Sequence, residues 1–185
     1  MTHVPEHAAL PAGAELLISA DVVSQAVARV AVEITAALGG QRPLVLAIMR
    51  GSVVFAGRLL PMLPFELDFD YVDATRYGDA TRGGEIEWRM DVPVSVRNRL
   101  VLVVDDILDE GRTLAAVRGR LLAAGAGQVR IAVFADKMIP GRKPVVADFT
   151  GVRVPDRYVF GFGMDVQGLW RNLPAVYALN PEKQD

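Results

Sequence analysis

Four carboxylates stand within six residues of this chain, at Asp105, Asp106, Asp109 and Glu110. They follow the apolar run Leu-Val-Leu-Val-Val of residues 100–104 and precede Gly111, Arg112 and Thr113. Like charges packed this closely repel one another unless a cation or hydrogen-bond donors offset the cost. The apolar run reads as a buried strand and the residues after Gly111 as a helix, so the acids occupy the connection between them. In open α/β sheets that connection is where ligands bind. Free amides and the dipole at a helix start favour a phosphate, and neighbouring acids can hold hydroxyl groups or a metal. The combination suits a sugar phosphate. A helix cap alone would account for one Asp or Thr, not for the whole cluster.

The flanking elements must place this segment at a sheet edge. Val23, Val27, Val30, Ile34 and Leu38 recur at helical spacing over residues 21–38, with Asp21 as N-cap and Gly39-Gly40 as the stop. Residues 44–48 form a short buried strand. Met49-Arg50-Gly51-Ser52 then leads into a helix over 53–60, stopped by Pro61 and Pro64. Residues 67–74 alternate as a strand. The polar stretch 76–84 contains Gly78, Gly83 and Gly84 and reads as a loop, with a strand over 85–90 behind it. After the acidic segment come a helix over 112–124, a strand over 129–135, an irregular stretch over 140–151, and strands over 158–162 and 176–179. Strands alternating with helices predict an α/β fold with a mostly parallel central sheet flanked by helices. The last third lacks a clear helix and is expected to form a small hood lobe, with parts of the N-terminus and residues from about 137 to 185.

The 185 residues suit one domain, with residues 1–14 as a loose arm. Half the residues are hydrophobic, which excludes disorder for the body of the chain. A net charge of −2 argues against a nucleic-acid surface. No cysteine is present, so disulfides, thiol nucleophiles and thiolate metal sites are excluded. No apolar run approaches membrane-spanning length. The first residues lack a basic region followed by an apolar stretch, so the cytoplasm is the expected compartment.

The segment 100–114 resembles the phosphoribosyl pyrophosphate (PRPP) signature of the type I phosphoribosyltransferases. The chain from about 44 to 179 is similar to the hypoxanthine-guanine branch of that family. The resemblance implies that Asp105 and Asp106 hold the ribose hydroxyls and that the loop Asp109, Glu110, Gly111, Arg112 and Thr113 holds the 5′-phosphate. It makes Asp109 the general base, beside N7 of a purine whose N9 attacks; crowding by acids would raise its pKa and suit that task. Met49-Arg50-Gly51-Ser52 is similar to the family's diphosphate loop, with Arg50 where Lys is usual. Arg76 and Tyr77 stand at the start of the family's lid, where Ser-Tyr is common, and Arg171 is placed to reach the diphosphate. A lid fits the chemistry, because a cation-like transition state must be kept from water.

For the base, the resemblance implies Lys137 as donor to the C6 oxygen, Tyr158 as stacking partner, Val159 as reader of the Watson–Crick edge, and Asp165 in the same pocket. Asp105, Asp106 and Asp165 would be the metal-facing acids and Mg²⁺ the cofactor, since Mg²⁺ prefers diphosphate oxygens with a few carboxylates. The expected substrates are PRPP and a 6-oxopurine, and the expected assembly is a homodimer or homotetramer without nucleic-acid or membrane partners. Three alternatives stay open: a PRPP-binding regulator of the same fold, a xanthine-preferring enzyme and a pyrimidine-preferring one. Glu110 stands where Thr is usual, and phosphate binding then requires its side chain to point outward. Trp88 and Trp170 read as packing residues, and His3 and His7 lie in the arm without an assigned role.

Overall fold

Residues 44–49 and 100–104 are apolar without alternation, which is what a strand covered on both faces requires. The computed structural model describes residues 9–76 and 86–180 and bears this out. The strands are β1 (Ala14–Ile18), β2 (Leu44–Met49), β3 (Asp68–Arg76), β4 (Ile86–Met90), β5 (Leu100–Leu108), β6 (Gln128–Met138), β7 (Phe149–Pro155), β8 (Val159–Phe160) and β9 (Val176–Leu179). The helices are α1 (Ala20–Leu38), α2 (Val53–Leu59) and α3 (Arg112–Ala123). The central sheet runs β4-β3-β2-β5-β6-β7, parallel throughout except for the β4 edge.

Alternation along β5 divides the core. Leu102 and Val104 join the apolar stripe of α1 and Phe55 of α2 on one face. Val101 and Val103 join Leu114, Val117 and Leu121 of α3 on the other. A second sheet, β1-β9-β8, is antiparallel and forms the small lobe at the active-site end. Phe162, two residues past β8, packs on Phe134 of β6 in a tilted pair with centroids 4.4 Å apart, and Phe134 meets Phe55 at 5.8 Å. That aromatic chain carries the lobe onto the core.

The elements depart from the sequence reading in several places. Ser19, not Asp21, caps α1: its side chain accepts from the Val22 N–H at 3.4 Å. The 14–18 segment is a strand, so the arm ends at residue 13, and Asn180 N–H bonds back to the Gly13 carbonyl. Residues 149–155, of which the sequence reading put 149–151 in an irregular stretch and gave 152–155 no element, form β7 and pair with β6 from Ala132↔Phe149 to Met138↔Pro155. Lys137 lies within β6 rather than after it. Most consequential, β5 does not stop at the acids. Its ladder with β6 continues through Asp105↔Val133, Ile107↔Ala135 and Leu108↔Asp136, so Asp105 and Asp106 are strand residues and the loop begins at Asp109. The lid segment 77–85, including Tyr77, and the histidines His3 and His7 lie outside the described residues, as does the side chain of Arg76.

Candidate active site

Because β5 carries its acids inside the sheet, they are buried. Asp105 is 8% and Asp106 9% exposed, and the Asp106 N–H donates to Asp105 Oδ1 at 3.0 Å. Burial pushes the Asp105 carboxyl well above the usual carboxylate range, and the charge of Asp106 pushes it further. Burial raises Asp106 as well, against the opposing pull of Arg171. The repulsion read from the sequence therefore falls on these two acids. Asp109 has a different environment, because its Oδ2 receives the Lys137 ammonium at 2.7 Å.

The Met49–Arg50 peptide at the end of β2 is cis. Gly51 follows, and a Cβ there would stand 1.9 Å from Asp106 Oδ2. Gly163, in the small lobe, has φ +101°, and its Cβ would stand 2.2 Å from the Gly51 carbonyl oxygen. Three chain segments thus meet backbone against carboxylate, with room for hydrogen only. Gly163→Ala is expected to destabilise the fold by about 2 kcal/mol through strain and overpacking, lowering Tm by roughly 4–8 °C in a melt.

Beside Gly163, Arg171 donates to the Gly163 carbonyl at 2.6 Å and to Asp165 Oδ1 at 2.5 Å. Asp165 Oδ2 accepts from the Gly168 N–H at 2.7 Å, and the half-exposed Tyr158 donates its hydroxyl to the Asp165 carbonyl at 3.2 Å. The loop from Asp109 ends at Gly111, whose φ of 78° turns the chain into α3. Gly111 offers no side-chain cap, so the first amides of α3 face the cleft without a protein acceptor from that position. Glu110, half-exposed, lies 3.3 Å from Arg112 Nε, so a cation answers its charge. A cavity of about 600 Å³ is lined by Arg50, Gly51, Asp105, Asp106 and the whole loop 109–113, and by Asp165 and Arg171 on its far wall.

Residues 19–167 match the family model described as the phosphoribosyl transferase domain. The chain belongs to the phosphoribosyltransferase family. It is 38% identical to the hypoxanthine-guanine phosphoribosyltransferase of Lactococcus lactis over 77% of this chain and 78% of that protein. Identity to the Bacillus subtilis protein of the same name is 30%, over 90% of this chain and 93% of that one. A hypoxanthine phosphoribosyltransferase of Staphylococcus aureus superposes with a TM-score of 0.83 at 29% identity, covering 91% and 92% of the two chains. The chain also matches the bifunctional TilS/HprT proteins of Listeria at 33% identity, and there it spans about a quarter, 26%, of their length.

Among the phosphoribosyltransferase residues expected from sequence, the fold brings Arg50, Gly51, Asp105, Asp106, Asp109, Glu110, Gly111, Arg112, Thr113, Asp165 and Arg171 around one cavity. Lys137 joins them through Asp109, and Tyr158 through the Asp165 carbonyl. Val159 is buried in β8, paired with Ala178. Three participants were given no role by the sequence reading. Gly163 is one and Arg89, which lines the cavity from β4, is another. The third is Lys143, whose ammonium donates to the carbonyls of Leu108 and Lys137 at 2.7 and 2.5 Å and to Asp136 at 2.6 Å. It clasps the ends of β5 and β6, from which Asp109 and Lys137 project.

The donor set suits magnesium. Among the described residues no three acids converge as a cage. One or two carboxylates with ligand phosphates and water are what Mg²⁺ takes, and the buried pair with raised pKa values invites a cation.

The same pair costs the empty protein stability. Asp105 keeps its proton in the folded state where the unfolded chain, near its ordinary 3.8, has lost it. Stability from this group is therefore full below that pH and falls as pH rises through the folded value. Asp105→Asn is expected to leave Tm unchanged near pH 3.5 and to raise it at pH 8 by about 2–4 °C, a gain of about 1 kcal/mol, in melts across that range.

Proposed function

We propose that this protein transfers the 5-phosphoribosyl group of PRPP to N9 of hypoxanthine or guanine, giving IMP or GMP and diphosphate, with Mg²⁺ as cofactor. The observation that carries the reading is the Asp109–Lys137 pair, 2.7 Å apart at the ends of two adjacent strands beside the phosphate loop. A 6-oxopurine presents an N7 proton and a C6 oxygen side by side. A carboxylate and an ammonium set side by side complement that edge, whereas adenine would offer Lys137 an amino group that cannot accept.

The reaction needs positioning and charge more than covalent chemistry. The 5′-phosphate lies on the amides of 109–113 with the Thr113 hydroxyl, and the ribose hydroxyls lie on Asp105 and Asp106. As C1′ takes on oxocarbenium character, its bond to the diphosphate oxygen breaks and its bond to N9 forms. Asp109 takes the N7 proton, so the purine gains no net charge. Arg50, the Gly51 amide, Arg76, Tyr77 and Arg171 hold the departing diphosphate. Asp105 and Asp106 would hold Mg²⁺, which would supply positive charge to offset that of the departing diphosphate. Lys137 orients the base, and Tyr158 stacks on it, with the edge read at Val159 and Asp165 completing the pocket.

The family membership and the named relatives support this reading. The test is diphosphate release from PRPP and Mg²⁺ with a panel of hypoxanthine, guanine, xanthine, adenine and uracil. Turnover confined to adenine or uracil, or no turnover with any base, would overturn it. The proposal includes a cytoplasmic homodimer or homotetramer, to be measured by light scattering. The apolar stripe of α1 is spent on the core, so an interface must use other surface, such as the exposed Val32 and Val53. No described helix is long and apolar enough to cross a membrane.

A further inference from the structure

We propose that Arg89, on the edge strand β4, is a further phosphate-binding residue of this site, donating to the monophosphate seated at the start of α3. The inference rests on the sugar-phosphate reading above and adds to it a cation that the signature does not contain.

The geometry begins with a break in register. Asp73 of β3 pairs with Met90 and Ala74 with Trp88, so one step along β3 matches two along β4, and Arg89 is the extra residue. Such a bulge leaves its residue unpaired, bends the strand and re-aims the side chain. The effect is visible in the neighbours. Trp88 packs into the core on the α3 face, beside Ile86 and Ala74. With regular alternation Arg89 would point to the opposite face. Instead it lines the active-site cavity together with Ala74, Thr113 and Leu114, residues of β3 and of the first turn of α3.

The bulge is held in place. Arg120 of α3 lies over the Trp88 ring at 5.1 Å and forms an ion pair with Asp91. One α3 side chain thus grips β4 on both sides of Arg89, which fixes the strand relative to the helix whose amides await the phosphate.

Charge completes the argument. Of the cations lining the cavity, Arg171 is bound to Asp165 and Arg112 faces Glu110. Arg89 has one ion pair among the described residues, to Glu87 at 3.8 Å, too long for a hydrogen bond, and its side chain is 41% exposed. Arg50 has no ion pair among the described residues, and it stands on the β2–α2 connection, on the proposed diphosphate side. Glu110 places a negative charge in a loop that must receive a dianion, and a second guanidinium on the opposite wall offsets it. A guanidinium matches phosphate by paired N–H donors.

Titration calorimetry with ribose 5-phosphate and with inorganic diphosphate, on the wild type, Arg89→Gln and Arg89→Lys, tests the assignment. Arg89→Gln is expected to weaken ribose 5-phosphate about tenfold or more, the loss of one charge-assisted hydrogen bond, and to leave diphosphate affinity and Tm unchanged. Arg89→Lys should recover most of the loss, and KM for PRPP should rise in Arg89→Gln while kcat holds. Wild-type binding of ribose 5-phosphate with equal binding by Arg89→Gln overturns the assignment and leaves the transferase reading standing. So does a loss confined to diphosphate, which would place Arg89 at the leaving group. Failure of the wild type to bind either PRPP or ribose 5-phosphate overturns both.

Discussion

Asp109→Ala is expected to lower kcat on the order of 10²–10⁴-fold, with little change in affinity for PRPP or base, because it removes a proton acceptor used only as the new bond forms. The location supports the effect. Asp109 is the first residue beyond β5, and its carboxylate faces Lys137 rather than the acid pair behind it. Deleting it leaves the Lys137 side chain, 12% exposed, without its carboxylate, so a charge effect could imitate a proton-transfer effect. Asp109→Glu separates the two, since it keeps a negative charge for Lys137 but displaces the proton acceptor from its place at the end of β5. Single-turnover rates with PRPP saturating should fall alike in both variants. Unchanged turnover in Asp109→Ala removes the general base from the proposal.

Lys137→Ala is expected to raise KM for hypoxanthine and guanine about 100-fold while KM for PRPP stays near its wild-type value. In the proposed reaction the lysine donates a charged hydrogen bond to the C6 oxygen of the base and none to the sugar phosphate. The variant should also lose discrimination against purines lacking that oxygen, read as the ratio of kcat/KM values for hypoxanthine and adenine. A parallel rise in KM for PRPP would show that Lys137 serves the whole site and not the base. That outcome has a physical route through Lys143, which is bonded to the Lys137 carbonyl and to the end of β5, so wild-type PRPP binding in the variant also confirms that this clasp survives.

That the acids and the loop 109–113 lie together at a cleft was legible because the evidence for it is local. Residue types that repel one another, set between an apolar run and a helix, identify a ligand site without knowledge of any distant partner. The same holds for α1, whose apolar stripe at Val23, Val27, Val30, Ile34 and Leu38 is buried throughout. What was missed depends on partners far along the chain. β1 is a strand because it pairs with β9, with Ala14 opposite Leu179, and its own five residues carry no decisive alternation. β7 takes its form from β6. The extension of β5 to Leu108 came from its ladder with β6, which overrode the change from apolar to acidic residues. Arg89 could not be read from sequence, because a bulge belongs to a pair of strands and alternation alone turns that side chain away. Asp109 was expected to be crowded by acids, but one residue beyond the strand end the chain turns it toward a lysine 28 positions later.

The contact of Gly51, Asp106 and Gly163 has a consequence for how the molecule works as a machine. A loop of the sheet, the buried acid Asp106 and the lobe that carries Arg171 and Asp165 touch with nothing compressible between them. A displacement of the lobe cannot be absorbed by a side chain changing rotamer, so it must reach the carboxylate undiminished. In the proposed reaction the hold on the sugar and the hold on the leaving group would therefore share one mechanical setting, and loosening either would detune both.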